Sequence, residues 1–177
     1  MRVSALVVCA VAAALLAAGA GAAEPVAGTL TVENGRGVVT LDLRGSMLGR
    51  LKAGTLRVTD GTPWDAYSEI VVGRRVTQEQ IGPRTVLYRG SNLRFRMLGG
   101  GYRVVARGIG IDISAVGRGV VILDGEPRFP GDDVGMYSFD GIDCGFEPLE
   151  CEALPSDPER FTLGASPADS PSRAAAR

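Results

Sequence analysis

Apolar residues alternate with polar ones along most of this chain, from Gly28 to Gly125. Because successive side chains of a β-strand point to opposite faces, a period of two is typical of strands that bury one face. Glycine, Asn-Gly and Asp-Gly steps interrupt the alternation at short intervals, which indicates turns. The pattern therefore predicts an all-β domain of about nine strands, or ten if Met136–Phe139 is included.

No segment has the pattern of a helix long enough to connect two parallel strands, so the predicted sheet is antiparallel. We expect a single β-sandwich, with a closed β-barrel as the alternative. The first hairpin is predicted at Asn34-Gly35, a strong two-residue turn signal between Thr29–Glu33 and Val38–Arg44. At most one short helical turn is expected, at Val76–Ile81, where the spacing resembles a capping box.

The same alternation defines which residues should face inward. A register shift of one residue would turn the whole set outward, so this set tests the strand assignments. The predicted core consists of Leu30, Val32, Val39, Leu41, Leu56, Val58, Val86, Tyr88, Leu93, Phe95, Met97, Tyr102, Val104, Ile109, Ile111, Ile113, Val121 and Leu123.

The first 23 residues predict an export signal. Arg2 precedes an apolar run from Val3 to Leu16, and small residues end just before Glu24. Signal peptidase recognises a short basic start, a hydrophobic stretch too short to span a bilayer and small residues at its end. We therefore expect a signal peptide over 1–23, a secreted or extracytoplasmic protein of the cell envelope, and no membrane span in the mature chain.

The rest of the chain is predicted to form one domain, 24–160, followed by a disordered tail, 161–177, rich in Ser, Pro and Ala. Cys144 and Cys151 are the cysteines that remain after the leader is removed. Because an exported chain meets an oxidising environment, we predict a disulfide between them. It would close an acidic lobe at the end of the domain and stabilise it by about 2.5 kcal/mol.

Histidine is absent from the chain, and Lys52 is the single lysine. Ser-His-Asp triads, Cys-His pairs and histidine zinc sites all need imidazole, so most familiar hydrolase mechanisms are excluded. Carboxylate chemistry remains open, and Asp65 and Glu69, with Asp112 elsewhere in the chain, are the best candidates for a pair of acids that hydrolyses a glycoside, but no nucleophile motif accompanies them. The Asp- and Gly-rich stretch 132–143 is more typical of turns than of a calcium loop. We predict no catalytic residue, metal or cofactor, and the net charge of −1 gives no sign of nucleic-acid binding.

Charge is distributed unevenly along the chain. The stretch from Arg84 to Arg118 has seven arginines and one acid, whereas Asp124 to Glu159 has eleven acids and one arginine. Period two, with a hairpin through Gly99–Gly101, would place four arginines on one surface. This candidate anion-binding face consists of Arg94, Arg96, Arg103 and Arg107. It would bind an anionic envelope polymer through bidentate contacts, unless the acidic stretch covers it.

A loop that follows Gly61-Thr62-Pro63 contains Trp64 and Tyr67. Aromatic side chains at a loop tip can stack on sugar rings, so this loop is a candidate glycan site. A single tryptophan in a small β domain more often closes one end of the core, and we expect this role for Trp64 over glycan stacking.

These observations favour an exported, non-enzymatic β domain that binds or scaffolds an anionic polymer or glycan in the cell envelope. The alternative is a carboxylate-dependent, glycan-active enzyme or a lectin-like module.

Overall fold

The computed structural model describes residues 25–26, 28–66, 68–139 and 141–164, which form one all-β sheet. Its strands are β1 (Pro25–Val26), β2 (Thr29–Asp60), β3 (Ile70–Gly82), β4 (Thr85–Met97), β5 (Gly101–Gly125), β6 (Met136–Ser138), β7 (Glu152–Ala153) and β8 (Glu159–Leu163). The order across the sheet is β1-β8-β5-β2-β4-β3, with β6 beside β2 and β7 beside β6.

Every strand pair is antiparallel except β1 with β8, which is parallel. The predicted all-β, antiparallel fold class is therefore confirmed. Over the described residues the sheet is open, so the closed-barrel alternative is not found. Within the same residues, no helix is both long and apolar enough to cross a membrane.

Two of the strands are far too long to be straight. β2 has 32 residues. Fully extended it would span about 105 Å, whereas a domain of this size is about 40 Å across. The pairing shows how the chain accommodates this length, because β2 and β5 pair with each other along both edges. Residues 37–44 of β2, for example, lie between 101–108 and 118–125 of β5. The two strands thus wrap around each other, and the sheet folds over on itself.

A pair of facing glycines marks one of the bends. Gly54 of β2 lies opposite Gly108 of β5, and a Cβ atom on Gly54 would lie only 2.1 Å from the carbonyl oxygen of Arg107. The backbones approach too closely at this point for any side chain. The strand also switches faces here, because Leu51 and Leu56 are both buried although they are an odd number of residues apart.

Buried side chains from both parts of the folded sheet form a single core. All the predicted core residues are buried except Val86 and Ile109, which are half-buried. The alternation therefore identified the inner face correctly. Met47 and Leu51 are also buried and lie in the part of β2 for which the sequence predicted no strand. Leu43 is a further buried residue, within the predicted strand Val38–Arg44.

Three local predictions are wrong. No hairpin forms at Asn34-Gly35, since β2 runs through this step and Asn34 has a φ of 50° in a bulge beside β5. Val76–Ile81 belongs to β3, and the short helical turn is a 3₁₀ turn at Pro148–Glu150. Gly99–Gly101 does not join two paired strands, because β4 and β5 lie on opposite sides of β2. Turn-forming residues serve here as bulges or connections within a long-range pairing.

Over the described residues the sheet has eight strands rather than nine or ten, because segments expected to be separate are continuous in β2, β4 and β5. It also extends beyond the boundary predicted at residue 160. Phe161 of β8 packs against Tyr137 and Phe139, with ring centroids 5.7 and 4.8 Å away. The predicted signal peptide, 1–23, and the tail beyond Gly164 lie outside the described residues.

Candidate functional site

A groove of about 640 Å³ lies on the outer face of the sheet, where β2, β4 and β5 are neighbours. In the cross-strand register, Arg50 of β2 lies between Arg94 of β4 and Asp112 of β5. Directly paired residues point to the same face, so these three side chains form a row across the groove. Gly49 leaves room for the ring of Phe95, which contributes to the floor.

Asp112 holds Arg50 in place. Its Oδ2 accepts a hydrogen bond from Nε of Arg50 at 2.5 Å, and its Oδ1 accepts one from the backbone N–H of Asn34 at 2.8 Å. The hydrogen bond and the charge of Asp112 raise the pKa of Arg50. The bulge at Asn34 therefore has a structural role, because it directs a backbone donor toward this carboxylate. Both oxygens of Asp112 are occupied by groups of the protein itself.

Glu33 connects the acidic lobe, which we define as residues 143–152, to β2. Its carboxyl group is hydrogen-bonded to the side chain of Asp143 and accepts a hydrogen bond from the backbone N–H of Cys144. Burial, followed by the hydrogen bond and charge of Asp143, raises the pKa of Glu33. The predicted disulfide is confirmed: Cys144 and Cys151 are bonded, with Cα atoms 5.8 Å apart. The lobe thus forms one end of the groove.

Arg94 lines the other end of the groove, and Arg96 lies next to it on the adjoining surface of β4. Arg94 and Arg96 are exposed on the same face of β4, as period two predicted, and within the described residues neither forms an ion pair. Arg94 has Val72 of β3 beside it, and Arg96 lies between Leu48 and Ile70. These three aliphatic side chains are each about half exposed. The surface therefore combines unpaired guanidinium groups with apolar neighbours.

The predicted four-arginine face is not formed as one surface. Arg103 and Arg107 lie on β5, separated from Arg94 and Arg96 by the intervening strand β2. Arg103 lines a different cavity. The hairpin that was expected to join the two halves does not exist, so only the β4 half contributes to the groove. That this half binds an anion stays a prediction.

The acidic stretch neutralises arginines only in part. Glu126 pairs with Arg107 at 3.0 Å, and Asp132 approaches Arg36 at 3.8 Å. Both pairs are partly exposed, and such pairs stabilise a fold by at most about 1 kcal/mol each. Neither pair involves Arg94 or Arg96, and within the described residues no ion pair joins the acidic stretch to these two arginines.

The aromatic loop lies apart from the groove. Trp64 is 76% exposed, with the guanidinium of Arg84 5.6 Å from its ring centroid, so its expected role in closing the core is wrong. Tyr67 lies outside the described residues. Asp65 accepts a hydrogen bond from Thr62 within its own loop at 2.5 Å, whereas Asp112 lies in the groove. Asp65 and Asp112, two of the candidate acids, therefore lie in different parts of the molecule and do not share one site.

Sequence reasoning missed three residues of the groove, namely Arg50, Glu33 and Asp143. Arg50 could have been found from the alternation of Met47 and Leu51 with outward-facing neighbours, had a strand been assigned there. Glu33 and Asp143 are 110 residues apart in sequence, and no local pattern indicates that the acidic lobe returns to β2.

Comparison of the chain with protein-family models, with curated proteins and with solved structures found no match. Function must therefore be argued from the chemistry of the site. In the described part of the chain, no group of three or more acidic or cysteine side chains is placed to hold a metal ion. Glu33 and Asp143 are in direct hydrogen-bond contact, whereas glycoside hydrolases hold their two carboxyl groups about 5–9 Å apart.

Proposed function

We propose that this protein is an exported, non-enzymatic binding module whose groove and adjoining β4 surface hold an anionic polymer of the cell envelope. The observation that carries the proposal is the pair of exposed guanidinium groups on Arg94 and Arg96. Acids are abundant nearby, yet those of the groove bind Arg50, backbone donors or each other. Within the described residues the two arginines have no carboxylate partner.

Electrostatics within the sheet favour an external anion. Arg50 and Arg94 are directly opposed on neighbouring strands, but Asp112 neutralises Arg50, so Arg94 is the guanidinium of this pair that keeps an uncompensated charge. An external acid group beside Arg94 would supply the missing counter-charge. Arginine is suited to that role because its planar guanidinium binds carboxylate and phosphate groups through two parallel hydrogen bonds.

The neighbouring side chains favour a polymer with apolar as well as charged parts. Arg94 and Arg96 are about 7 Å apart along β4, so acid groups on successive units of one chain can contact both. Leu48, Ile70 and Val72 lie beside them and offer apolar contact to the C–H faces of sugar rings. An acidic polysaccharide, which carries both acid groups and apolar ring faces, matches this combination of charged and apolar side chains better than a compact inorganic anion does. The predicted signal peptide supports the envelope as the place of encounter.

Retention on immobilised polymers tests the proposal. We expect the purified protein to bind polygalacturonate and polyphosphate but not neutral dextran, and to elute with increasing salt. The Arg94→Ala/Arg96→Ala variant should elute at clearly lower salt. A matched variant, Arg57→Ala/Arg128→Ala, removes the same charge from exposed positions outside the groove and should behave like the wild type. Equal weakening in both variants, or no retention of the wild type, would overturn the proposal.

A second candidate function is the binding of a neutral glycan at the aromatic loop. The exposure of Trp64 favours it, because a large apolar ring in solvent is a ready stacking surface. Binding to neutral oligosaccharides without any dependence on Arg94 and Arg96 would support this candidate over the first.

A further inference from the structure

A second cavity, of about 520 Å³, lies on the other part of the folded sheet and shares no residue with the groove. It is lined by three arginines and one acid from the central strands: Arg44, Arg103, Arg118 and Asp42. In the sheet register, Arg44 of β2 is directly opposite Arg118 of β5, and Asp42 is directly opposite Arg103. The four side chains therefore form a compact block of neighbours on one face.

The glycines next to this block fix its backbone. Gly45 lies opposite Gly117, and a Cβ atom on Gly45 would lie 2.2 Å from the carbonyl oxygen of Val116. β2 and β5 are thus in unusually close contact one residue away from Arg44 and Arg118. The backbone positions of these two arginines on the adjoining strands are consequently fixed relative to each other.

The charges of this cavity are not balanced. All three arginines are exposed, and in the described part of the chain no ion pair joins any of them to Asp42 or to another acid. Three guanidinium groups face one carboxylate within the lining, whereas Asp60 and Asp65 lie behind the wall formed by Thr62 and are hydrogen-bonded to it. The directly opposed pair, Arg44 and Arg118, disfavours the empty state through like-charge repulsion. A concave surface lined by one sign of charge also concentrates counter-ions.

We propose that this cavity is a second binding site, which takes the phosphate or sulfate group of a small polar molecule. Arg44, Arg103 and Arg118 would surround the tetrahedral oxyanion with forked donors. The volume exceeds what the oxyanion alone needs and lies in the range of small-ligand pockets. Thr59 and Thr62 line the remaining wall, and their hydroxyl groups are held by Thr85 and by Asp65 and the N–H of Gly101, which makes this wall polar and ordered beside a hydroxylated group. This site is independent of the proposed polymer groove.

Asp42 gives the proposal a test with a defined sign. Its carboxylate lies among the arginines and repels a doubly charged oxyanion. Asp42→Asn should therefore strengthen the binding of inorganic sulfate and phosphate several-fold. A merely structural role for Asp42 would give unchanged or weaker binding.

Calorimetric titration and thermal unfolding of the purified protein provide the measurement. Sulfate and phosphate should bind and raise the melting temperature, while sodium chloride at matched ionic strength should not. We expect Arg44→Ala and Arg118→Ala each to weaken binding about tenfold or more, which corresponds to the loss of one charge-assisted contact. Arg57→Ala, an exposed arginine of β2 outside the cavity, should leave binding unchanged.

Further outcomes separate the parts of the proposal. A hexose 6-phosphate should bind more tightly than inorganic phosphate, and equal affinity would overturn the inference that an organic group occupies the polar wall. Without ligand, Arg118→Ala should be at least as stable as the wild type, since it removes a like-charge pair. Equal loss of binding in Arg57→Ala, or an equal effect of chloride, would overturn the site. Polymer retention through Arg94 and Arg96 would be unaffected, so the two proposals fail independently.

Discussion

Arg50 and Arg94 lie directly opposite each other on β2 and β4, yet of these two only Arg50 has a carboxylate partner among the described residues. Asp112 completes the row on the far side of Arg50 and neutralises one of the two charges. A neutralised and an unneutralised guanidinium therefore lie side by side in the groove. Under the proposed function, this asymmetry means that an external anion is attracted on the β4 side, away from the acidic lobe.

Asp112→Asn should strengthen retention on polygalacturonate and weaken the fold slightly. Asparagine keeps an oxygen acceptor for the N–H of Asn34 but removes the charge that neutralises Arg50. A second guanidinium then becomes available to the polymer. Because the ion pair is partly exposed, the free energy of unfolding should fall by about 1 kcal/mol or less. Elution salt and urea unfolding measure the two effects, and an unchanged or lower elution salt would show that Arg50 is not part of the binding surface.

Gly54→Ala should destabilise the domain severely. The new Cβ atom would lie 2.1 Å from the carbonyl oxygen of Arg107, at the point where β2 and β5 bend together. Since the clash is with backbone, relief requires the strands to separate, and we expect a loss of about 3 kcal/mol or more in unfolding free energy. Gly82→Ala is the control, because its Cβ would lie 3.4 Å from that of Thr85, an ordinary contact. Equal urea midpoints for the two variants would refute the role assigned to this bend.

Glu33 gives the domain a pH dependence of defined sign. Burial, and then the hydrogen bond and charge of Asp143, raise the pKa of Glu33 above its ordinary value of 4.5. A group whose pKa is higher in the folded than in the unfolded state stabilises the fold at pH below its ordinary pKa. This contribution is lost as the pH rises through the raised value. Glu33→Gln, which resembles the protonated acid, should therefore raise the melting temperature at pH 7 and change it little near pH 4.

The matched control for Glu33 is Glu147→Gln, an exposed acid in the same lobe. The pKa of Asp124 is raised by burial and by Glu126, so this residue also contributes to the pH dependence of stability. Its contribution has the same sign in the wild type and in both variants. The difference between variant and wild type thus isolates one carboxyl group. A Glu33→Gln melting temperature that falls below the wild type at pH 7 would contradict the conclusion that burial and Asp143 disfavour the charged form of Glu33.

Reduction of the disulfide should loosen the acidic lobe while the sheet remains folded. Cys144 and Cys151 enclose a loop with a sequence separation of 7, for which chain entropy gives a stabilisation of about 2.5 kcal/mol. Intact mass should rise by about 2 Da, for two added hydrogens, and amide exchange should accelerate over 144–151. The Cys144→Ala/Cys151→Ala variant should show the same exchange with and without reductant. Slow exchange in the reduced protein would mean that contacts other than the disulfide order the lobe.

The inner face of this fold could be predicted because alternation is a local signal. Leu30 and Val32 point inward whichever strand lies beside them. The bends were not predictable in this way. Asn34-Gly35 favours a left-handed residue, which both a hairpin turn and a bulge require, and the choice depends on whether β5 is available as a partner. The local sequence determines the left-handed conformation at Asn34-Gly35, whereas pairing with the distant strand β5 determines that this conformation forms a bulge and not a hairpin turn.

The same limit explains what was missed at the site. The period of two predicts that Arg94 and Arg96 lie on the same face of a strand, and both are exposed on one face of β4. That Arg103 lies elsewhere depends on strand order, since β2 rather than β5 lies next to β4. Consecutive strands are often neighbours, which made the hairpin a reasonable expectation, but the folding over of two long strands changes the order. The sequence thus predicted on which face of a strand each charged side chain lies, but not which charged side chains become neighbours.

Trp64 offers an internal probe that separates the two candidate functions. It is the single tryptophan of the chain and is 76% exposed, so acrylamide should quench native fluorescence efficiently, and unfolding should increase this quenching little. Polygalacturonate bound in the groove should leave the quenching unchanged, and Trp64→Ala should keep wild-type retention on that polymer. A glycan that stacks on the loop would instead shield the ring, and Arg84→Ala, which removes the cation beside it, would alter that shielding. Loss of retention in Trp64→Ala would show that the polymer binds at the aromatic loop and not at the arginines of β4.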